Sequence, residues 1–473
     1  MPRVIVIGGG IAGLSAAYRL AEASLPHLQI DLFEAGPHPG GVIRTVEQDG
    51  FLVELGPDAF LSTKPWLIDL CRRLGIADRL MPTNSRFRRS HIVFRGRLHP
   101  LPEGFLLMAP TRFWPLAVSP LFTWRGKCRM AMDLVLPAGS GTEDESLGAF
   151  VTRRLGREVL DRVVQPLVGG IYTGDPDTLS LKATLPRFLE MEAQHGSIIK
   201  AMWRQRRTAA RRPKTGPSDS GVRYSELLSF DRGMQTIVDR LMDALPARTV
   251  HCRAEAVVLR RTDTDWRVTL AGGDTHAADG IILALPAHRA GALLKDLDPA
   301  LSTELAAIPH ASSAILNLAY RRADVPHPLD GFGFVVPVIE QRRIIACSFS
   351  SVKFPGRAPE DRVLLRAFVG GALQPHLLDM DDEAMERAVR EELNALMGID
   401  APPLFTLLTR YPASMPQYQV GHLARVERIR TGIARHPGLA LAGNAYHGVG
   451  LPDCVHAGET AAEQLLKNLP LPA

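Results

Sequence analysis

Gly8, Gly10 and Gly13 follow an apolar, β-branched run in the stretch RVIVIGGGIAGLSAAYRL, which begins at Arg3. That spacing suits one task, holding a pyrophosphate. The first glycine allows a tight turn, the second lets the phosphates approach the backbone, and the third lets a helix pack on the strand. Gly9 completes the turn, and Ile11 and Ala12 open the helix. The start of a helix presents unpaired N–H groups and the positive end of its dipole. Glu34, with Ala35 beside it, ends the apolar stretch LQIDLFEAG. It lies about twenty residues past the glycines, where a carboxylate meets ribose hydroxyls. A second strand, glycine turn and helix lies at Leu441–Leu465, LAGNAYHGVGLPDCVHAGETAAEQL, without the G-x-G-x-x-G spacing. It reads as the far end of the same ligand, its helix N-terminus serving negative charge there.

These residues need a strand–turn–helix at the start of the chain, and the continuous run Val4–Ile7 reads as a strand buried on both faces. GGVIRT, Gly40–Thr45, follows Glu34 closely, and FLVELGPDAFL, Phe51–Leu61, adds a strand and a Gly-Pro turn. Extra glycine-rich backbone after the ribose carboxylate points to FAD, whose flavin arm is long. No second G-x-G-x-x-G offers a site for a nicotinamide donor, so the organic substrate is expected to reduce the flavin. No residue is singled out as catalytic: there is no triad, paired carboxylate or metal cluster in the pattern, and no metal is expected. His447 and His456 read as structural or surface histidines.

The chain has 473 residues, 46% of them hydrophobic and 22% charged, which is enough for two or three domains. A formal net charge of +5 suits an acidic ligand or an anionic membrane surface and is too small to argue for nucleic acid. Five scattered cysteines, with no C-x-x-C pair, argue against a disulfide framework or zinc site and favour a reducing compartment. The expected location is the cytoplasm. Leu98–Trp124 is rich in Phe and Trp but broken by prolines and charges. It cannot be a spanning helix. Two readings stay open for it: a peripheral contact with the inner face of a membrane, or a hydrophobic wall of a ligand pocket.

Several segments together resemble the oxygen-dependent protoporphyrinogen and coproporphyrinogen oxidases, a branch of the amine-oxidase-like flavoproteins. They are SLGAFVTRRLGREVLDRVVQPLVGGIYTGDPDTLSL (146–181), GFGFVVP (331–337), SFSSVKFPGRAP (348–359), LLRAFVGG (364–371) and SMPQYQVGH (414–422). The resemblance spans nearly the whole chain. It implies non-covalent FAD, with the pyrophosphate on Gly8–Gly13 and the ribose on Glu34 and Ala35. Val42, Arg44, Gly56, Pro57, Asp58 and Ala59 would lie along the flavin, and Val449, Gly450 and Leu451 would close over it. Ala256 aligns with an adenine-side position, and Tyr411 stands where the family usually has Trp. A porphyrinogen would meet Gly170, Val335, Ser348 and Phe368. His99 stands where some relatives place an Arg near a propionate, and Arg97 and Lys353 are further candidates for that role.

The implied reaction oxidises a porphyrinogen to the porphyrin in haem synthesis, using O2 and releasing H2O2. GVGLPDC looks like the coproporphyrinogen-type enzymes and GFGFVVPVIEQRR like the protoporphyrinogen type. The choice stays open, as does oligomeric state, a homodimer included. A flavin-dependent amine oxidase is the main alternative; a carotenoid desaturase and a non-catalytic flavin scaffold are the others.

The expected fold class is α/β, a Rossmann-like FAD-binding domain split along the chain, with a mixed-sheet substrate domain and a helical insertion. The FAD domain takes 1–90, 224–290 and 405–473. A helical domain takes 91–203, a basic linker 204–223, and the substrate domain 291–404.

Overall fold

The computed structural model describes residues 2–469 apart from 26, 88, 107–108, 111, 140–142 and 212–226. In chain order, β1 (Arg3–Ile7) leads through the glycine turn into α1 (Ile11–Glu22) and β2 (Gln29–Glu34), and a hairpin ends in β3 (Phe51–Glu54). Strands β4 (His91–Phe94) and β5 (Arg97–Pro100) precede a mostly helical stretch containing α2 (Phe113–Val118), α3 (Trp124–Ala131), α4 (Gln165–Tyr172) and α5 (Ile198–Arg211). Then come β6 (Val250–Cys252), β7 (Gly280–Leu283), β8 (His310–Arg321), β9 (Gly333–Val335), β10 (Ala346–Phe349), β11 (Arg362–Gly370) and β12 (Phe405–Pro416). Helix α6 (His422–Ala434), β13 (Leu439–Leu441) and α7 (Leu451–Asn468) complete the chain.

A five-stranded sheet in the order β6-β2-β1-β7-β13 is parallel throughout and collects strands from both ends of the chain. The run in β1 shows why it is apolar at every position. Val4 and Val6 enter the core shared with α1 and α7, while Ile5 and Ile7 enter a second core on the other face. Helix α7 returns to lie on α1 at close range: a Cβ on Gly458 would stand 2.1 Å from the Ala12 carbonyl oxygen. Only a glycine allows that approach.

The second large sheet has seven strands in the order β12-β8-β11-β10-β9-β4-β5. The segment expected to be helical from residue 91 therefore opens with two strands of this sheet. The segment expected to join the cofactor domain from 405 opens with its edge strand. Helices between Leu147 and Met202 pack into a separate core, in which the fully buried Arg154 binds Asp133 at 2.6 Å. The expected linker from 204 begins as helix, since α5 continues to Arg211; the rest of 204–223 lies outside the described residues.

Candidate functional site

The turn after β1 is shaped by three glycines in three different ways. Gly8 adopts φ +106° and donates its N–H to Phe33 at 2.8 Å. A Cβ on Gly13 would lie 1.9 Å from the Gly8 carbonyl oxygen, so the helix sits directly on the turn. A Cβ on Gly10 would meet nothing within 4 Å, which leaves open space at the helix start. No side chain caps α1, so its first N–H groups face that space. Ile11 and Ala12 are buried in the core below.

Glu34 braces the rim of this space. One carboxylate oxygen accepts the Gly9 N–H and the other the Gly36 N–H, each at 2.6 Å. The Glu34 carbonyl accepts the Ala254 N–H at 2.9 Å, which brings the segment leading into Ala256 across the end of β2. Ala35 is exposed next to it. On the other side, Gly40 donates to the Gly9 carbonyl at 2.8 Å and starts a loop on which Val42 and Arg44 are exposed. The Gly56 turn rests on this loop, and a Cβ there would fall 1.6 Å from the Val42 carbonyl oxygen.

The start of α7 closes the far side. Tyr418 fixes the preceding turn, accepting the Gly448 N–H at 2.9 Å and donating to the Asn444 carbonyl at 2.5 Å. Val449 packs against the helical core, as does Val335 of β9. Gly450 and Leu451 begin the helix. Its first turn already holds an anion. The buried Asp453 accepts the Gly450 N–H at 3.3 Å and takes Lys64 Nζ at 2.6 and 2.7 Å. His456 stacks on Trp66 with ring centroids 4.2 Å apart, and His447 is exposed.

Strand register collects the remaining candidates on one face of the seven-stranded sheet. Val335 pairs with Ala346, Ala346 with Phe368, and Phe368 with Ile315. In the next row Ser348 pairs with Arg366, and Arg366 with Asn317. Tyr411 pairs with Ser313, which pairs with Gly370. Cross-strand partners share a face and positions two apart repeat it, so Val335, Ser348, Phe368 and Tyr411 belong to one surface. Gly170 on α4 covers it, its Cβ position 3.9 Å from Val335. His99 sits at the β5 edge opposite Ile92, against the Phe94 ring. Arg97 is exposed on the same strand.

Beneath the Gly56 turn, Asp58 and Lys353 join a cluster of charges whose other members, Glu54, Arg357 and Arg366, the sequence motifs did not single out. Asp58 binds Lys353 at 2.8 Å and stands 3.7 Å from the Arg366 guanidinium. Burial pushes the Asp58 carboxyl up, but Lys353 and Arg366 outweigh it and hold it down at about 2. Lys353 is thus already paired within the protein. Arg366 also donates to the Gly56 carbonyl and lies 4.9 Å from the centre of the Phe368 ring. Arg357 stands 3.5 Å from Glu54, whose carboxyl burial raises. The signal for Arg366 was present in LLRAFVGG: a charged residue at an inward position of an otherwise buried strand.

A cavity of about 540 Å³, lined by His310, Ser312, Arg410, Pro412 and Gln417 among others, contains none of the expected site residues. The glycine turn and the sheet face therefore locate the candidate site better than cavity size does.

The model of the flavin containing amine oxidoreductase family matches residues 11–466. A coproporphyrinogen III oxidase of Bacillus subtilis is 36% identical over 98% of both chains. A protoporphyrinogen oxidase of Bos taurus is 30% identical over 99% of both. A crystal structure from Exiguobacterium, provisionally named a protoporphyrinogen oxidase, superposes with a TM-score of 0.86 at 32% identity, covering 98% of both chains.

Proposed function

Because this chain belongs to the flavin containing amine oxidoreductase family, we propose that it is an FAD-dependent, oxygen-using porphyrinogen oxidase of haem synthesis with coproporphyrinogen III as its substrate. The Bacillus subtilis relative named coproporphyrinogen III oxidase is 36% identical, against 30% for the Bos taurus protoporphyrinogen oxidase and 32% for the Exiguobacterium structure. One observation carries the reading: Val335, Ser348 and Phe368 share a sheet face that Gly170 covers. That gives a sheet surface on which Val335 and Phe368 present apolar side chains opposite a glycine, suited to a large flexible macrocycle.

The residues present fit FAD. The open space at Gly10 and the uncapped start of α1 take the pyrophosphate, Glu34 the ribose, and the start of the strand Ala256–Arg261 the adenine side. Gly40–Arg44, the Gly56–Ala59 turn, Tyr411 and Val449–Leu451 line the path of the flavin arm. FAD when bound supplies the redox chemistry, accepting a hydride equivalent and passing electrons to O2. The chain's own work is positional. Phe368 and Val335 press the macrocycle against the cofactor side, Gly170 lets its backbone approach, and α4 excludes water. His99 and Arg97, on the edge strand, take the role of propionate partners in this reading. No side-chain base is assigned, since pyrrole N–H protons can leave through tautomerisation.

The FAD domain is proposed to comprise 1–90, 224–290 and most of 405–473, and the substrate domain 291–404 with the strands at 91–100 and 405–416. Trp114 and Trp124 are each 73% exposed and Val135 is 80% exposed, beside Arg125 and Lys127. These exposed apolar side chains, with basic neighbours in sequence, support a peripheral contact with an anionic membrane; no helix among the described residues is long and apolar enough to cross one. The test of function is turnover of purified coproporphyrinogen III and protoporphyrinogen IX side by side, read by porphyrin fluorescence. Faster turnover of coproporphyrinogen III is expected; oxidation of neither, with amines consumed instead, overturns the proposal.

A further inference from the structure

Arg366 is 3% exposed, and its Nε has no partner among the described residues. Its guanidinium donates to the Gly56 carbonyl on one side and lies against the Phe368 ring on the other. The cross-strand neighbour Asn317 is fully buried, gives its amide N–H to the Glu54 carbonyl at 3.2 Å, and leaves its Oδ1 unpartnered. Three cations, Lys353, Arg357 and Arg366, here lie among the carboxylates of Glu54, Asp58 and Asp231. Arg366 keeps its charge when buried. Its nearest carboxylate, Asp58, stands 3.7 Å away and is bound more closely by Lys353. A buried donor left without an acceptor is costly, so the Arg366 Nε–H calls for an anion or acceptor nearby.

We infer that Arg366 is a positioning residue which supplies fixed positive charge to the reduced cofactor and holds the Gly56 turn and the Phe368 ring in register. This rests on the flavin reading above. Two electrons and one proton taken up by an oxidised flavin leave one negative charge on the ring, so a fixed cation beside it favours reduction. The start of α7 is a weaker source of that field, because Asp453 already occupies its first turn.

The experiment measures the two-electron midpoint potential of the FAD-loaded protein with no porphyrinogen present, together with melting temperature and flavin content. Arg366→Gln is expected to disfavour reduction at least tenfold, a fall of about 30 mV. Arg366→Lys should recover most of it. Asp58→Asn removes a negative charge and should move the potential upward, which keeps the test decisive if Arg366→Gln fails to fold. Equal potentials in Gln and Lys variants, or a downward shift in Asp58→Asn, overturn the inference. A potential that responds as expected in a protein that oxidises no porphyrinogen would leave the inference standing while the proposed function fell.

Discussion

Gly10→Ala separates the cradle from the fold around it. Gly10 has φ −69° and ψ 176°, a conformation open to alanine, and its new methyl would meet nothing within 4 Å. Two small effects on the cofactor-free protein oppose each other. Alanine lowers unfolded-state entropy, stabilising by about 0.4–1 kcal/mol. Alanine is also a poorer N-cap than glycine, costing roughly 0.5–1 kcal/mol. The melting temperature of stripped protein should therefore stay close to that of the parent. With cofactor the methyl stands where the pyrophosphate must approach, and forcing extra volume into a fitted space costs about 1–3 kcal/mol. That corresponds to roughly 5- to 150-fold weaker FAD binding. The assay is a fluorescence titration of FAD onto stripped protein, paired with thermal unfolding. Gly13→Ala is the control, since its methyl would sit 1.9 Å from a backbone oxygen and should damage the fold itself. Parent-like FAD affinity in a folded Gly10→Ala would show that the open space is not the phosphate site.

Glu34→Gln keeps the shape of the rim but removes the charge behind two 2.6 Å backbone bonds. FAD affinity should fall by roughly 10- to 150-fold on the loss of about 1.5–3 kcal/mol, checked by calorimetric titration. Phe368→Ala should raise KM or lower kcat while flavin content and melting temperature hold. A core truncation would instead cost about 3–5 kcal/mol, and a large fall in melting temperature with normal kinetics would remove Phe368 from the clamp. His422, stacked on Tyr418, is buried enough to hold its imidazole down at about 4. Because that is below the ordinary value near 6.5, the unfolded chain takes up the extra proton. The stability is full above about 6.5 and drains away as pH falls toward 4, by about 3 kcal/mol in total. Melting temperatures from pH 7 to 4 should show a flatter slope in His422→Gln.

Local signals were the legible ones. The glycine turn, Glu34 and the turn before α7 each depend on a few adjacent residues, and the sequence displays them directly. Edge pairing was hidden, because which strand borders β9 depends on contacts more than two hundred residues away: His91 pairs with Phe334. The segment from Arg204 reads as a basic loop by charge, yet Arg, Gln and Ala favour helix strongly enough to carry α5 to Arg211. Within the site, Phe368 stood out by resemblance and Arg366 did not. A single arginine in a buried strand says nothing of its partners until the Gly56 turn is placed above it.

The parallel sheet that carries the glycine turn has consequences for how the protein is made. Its edge strand β13 and the helix that lies on α1 come from the last segment of the chain, Leu439–Asn468. A ribosome releases β1, α1 and Glu34 first, and they wait through more than four hundred residues of synthesis for Gly458 to meet Ala12. Domains generally mature as units during translation, but this one cannot finish until Leu439–Asn468 has been made. FAD capture is thus tied to the emergence of Leu439–Asn468, and a message truncated before Leu439 yields a chain whose phosphate turn is present but whose floor is open to water.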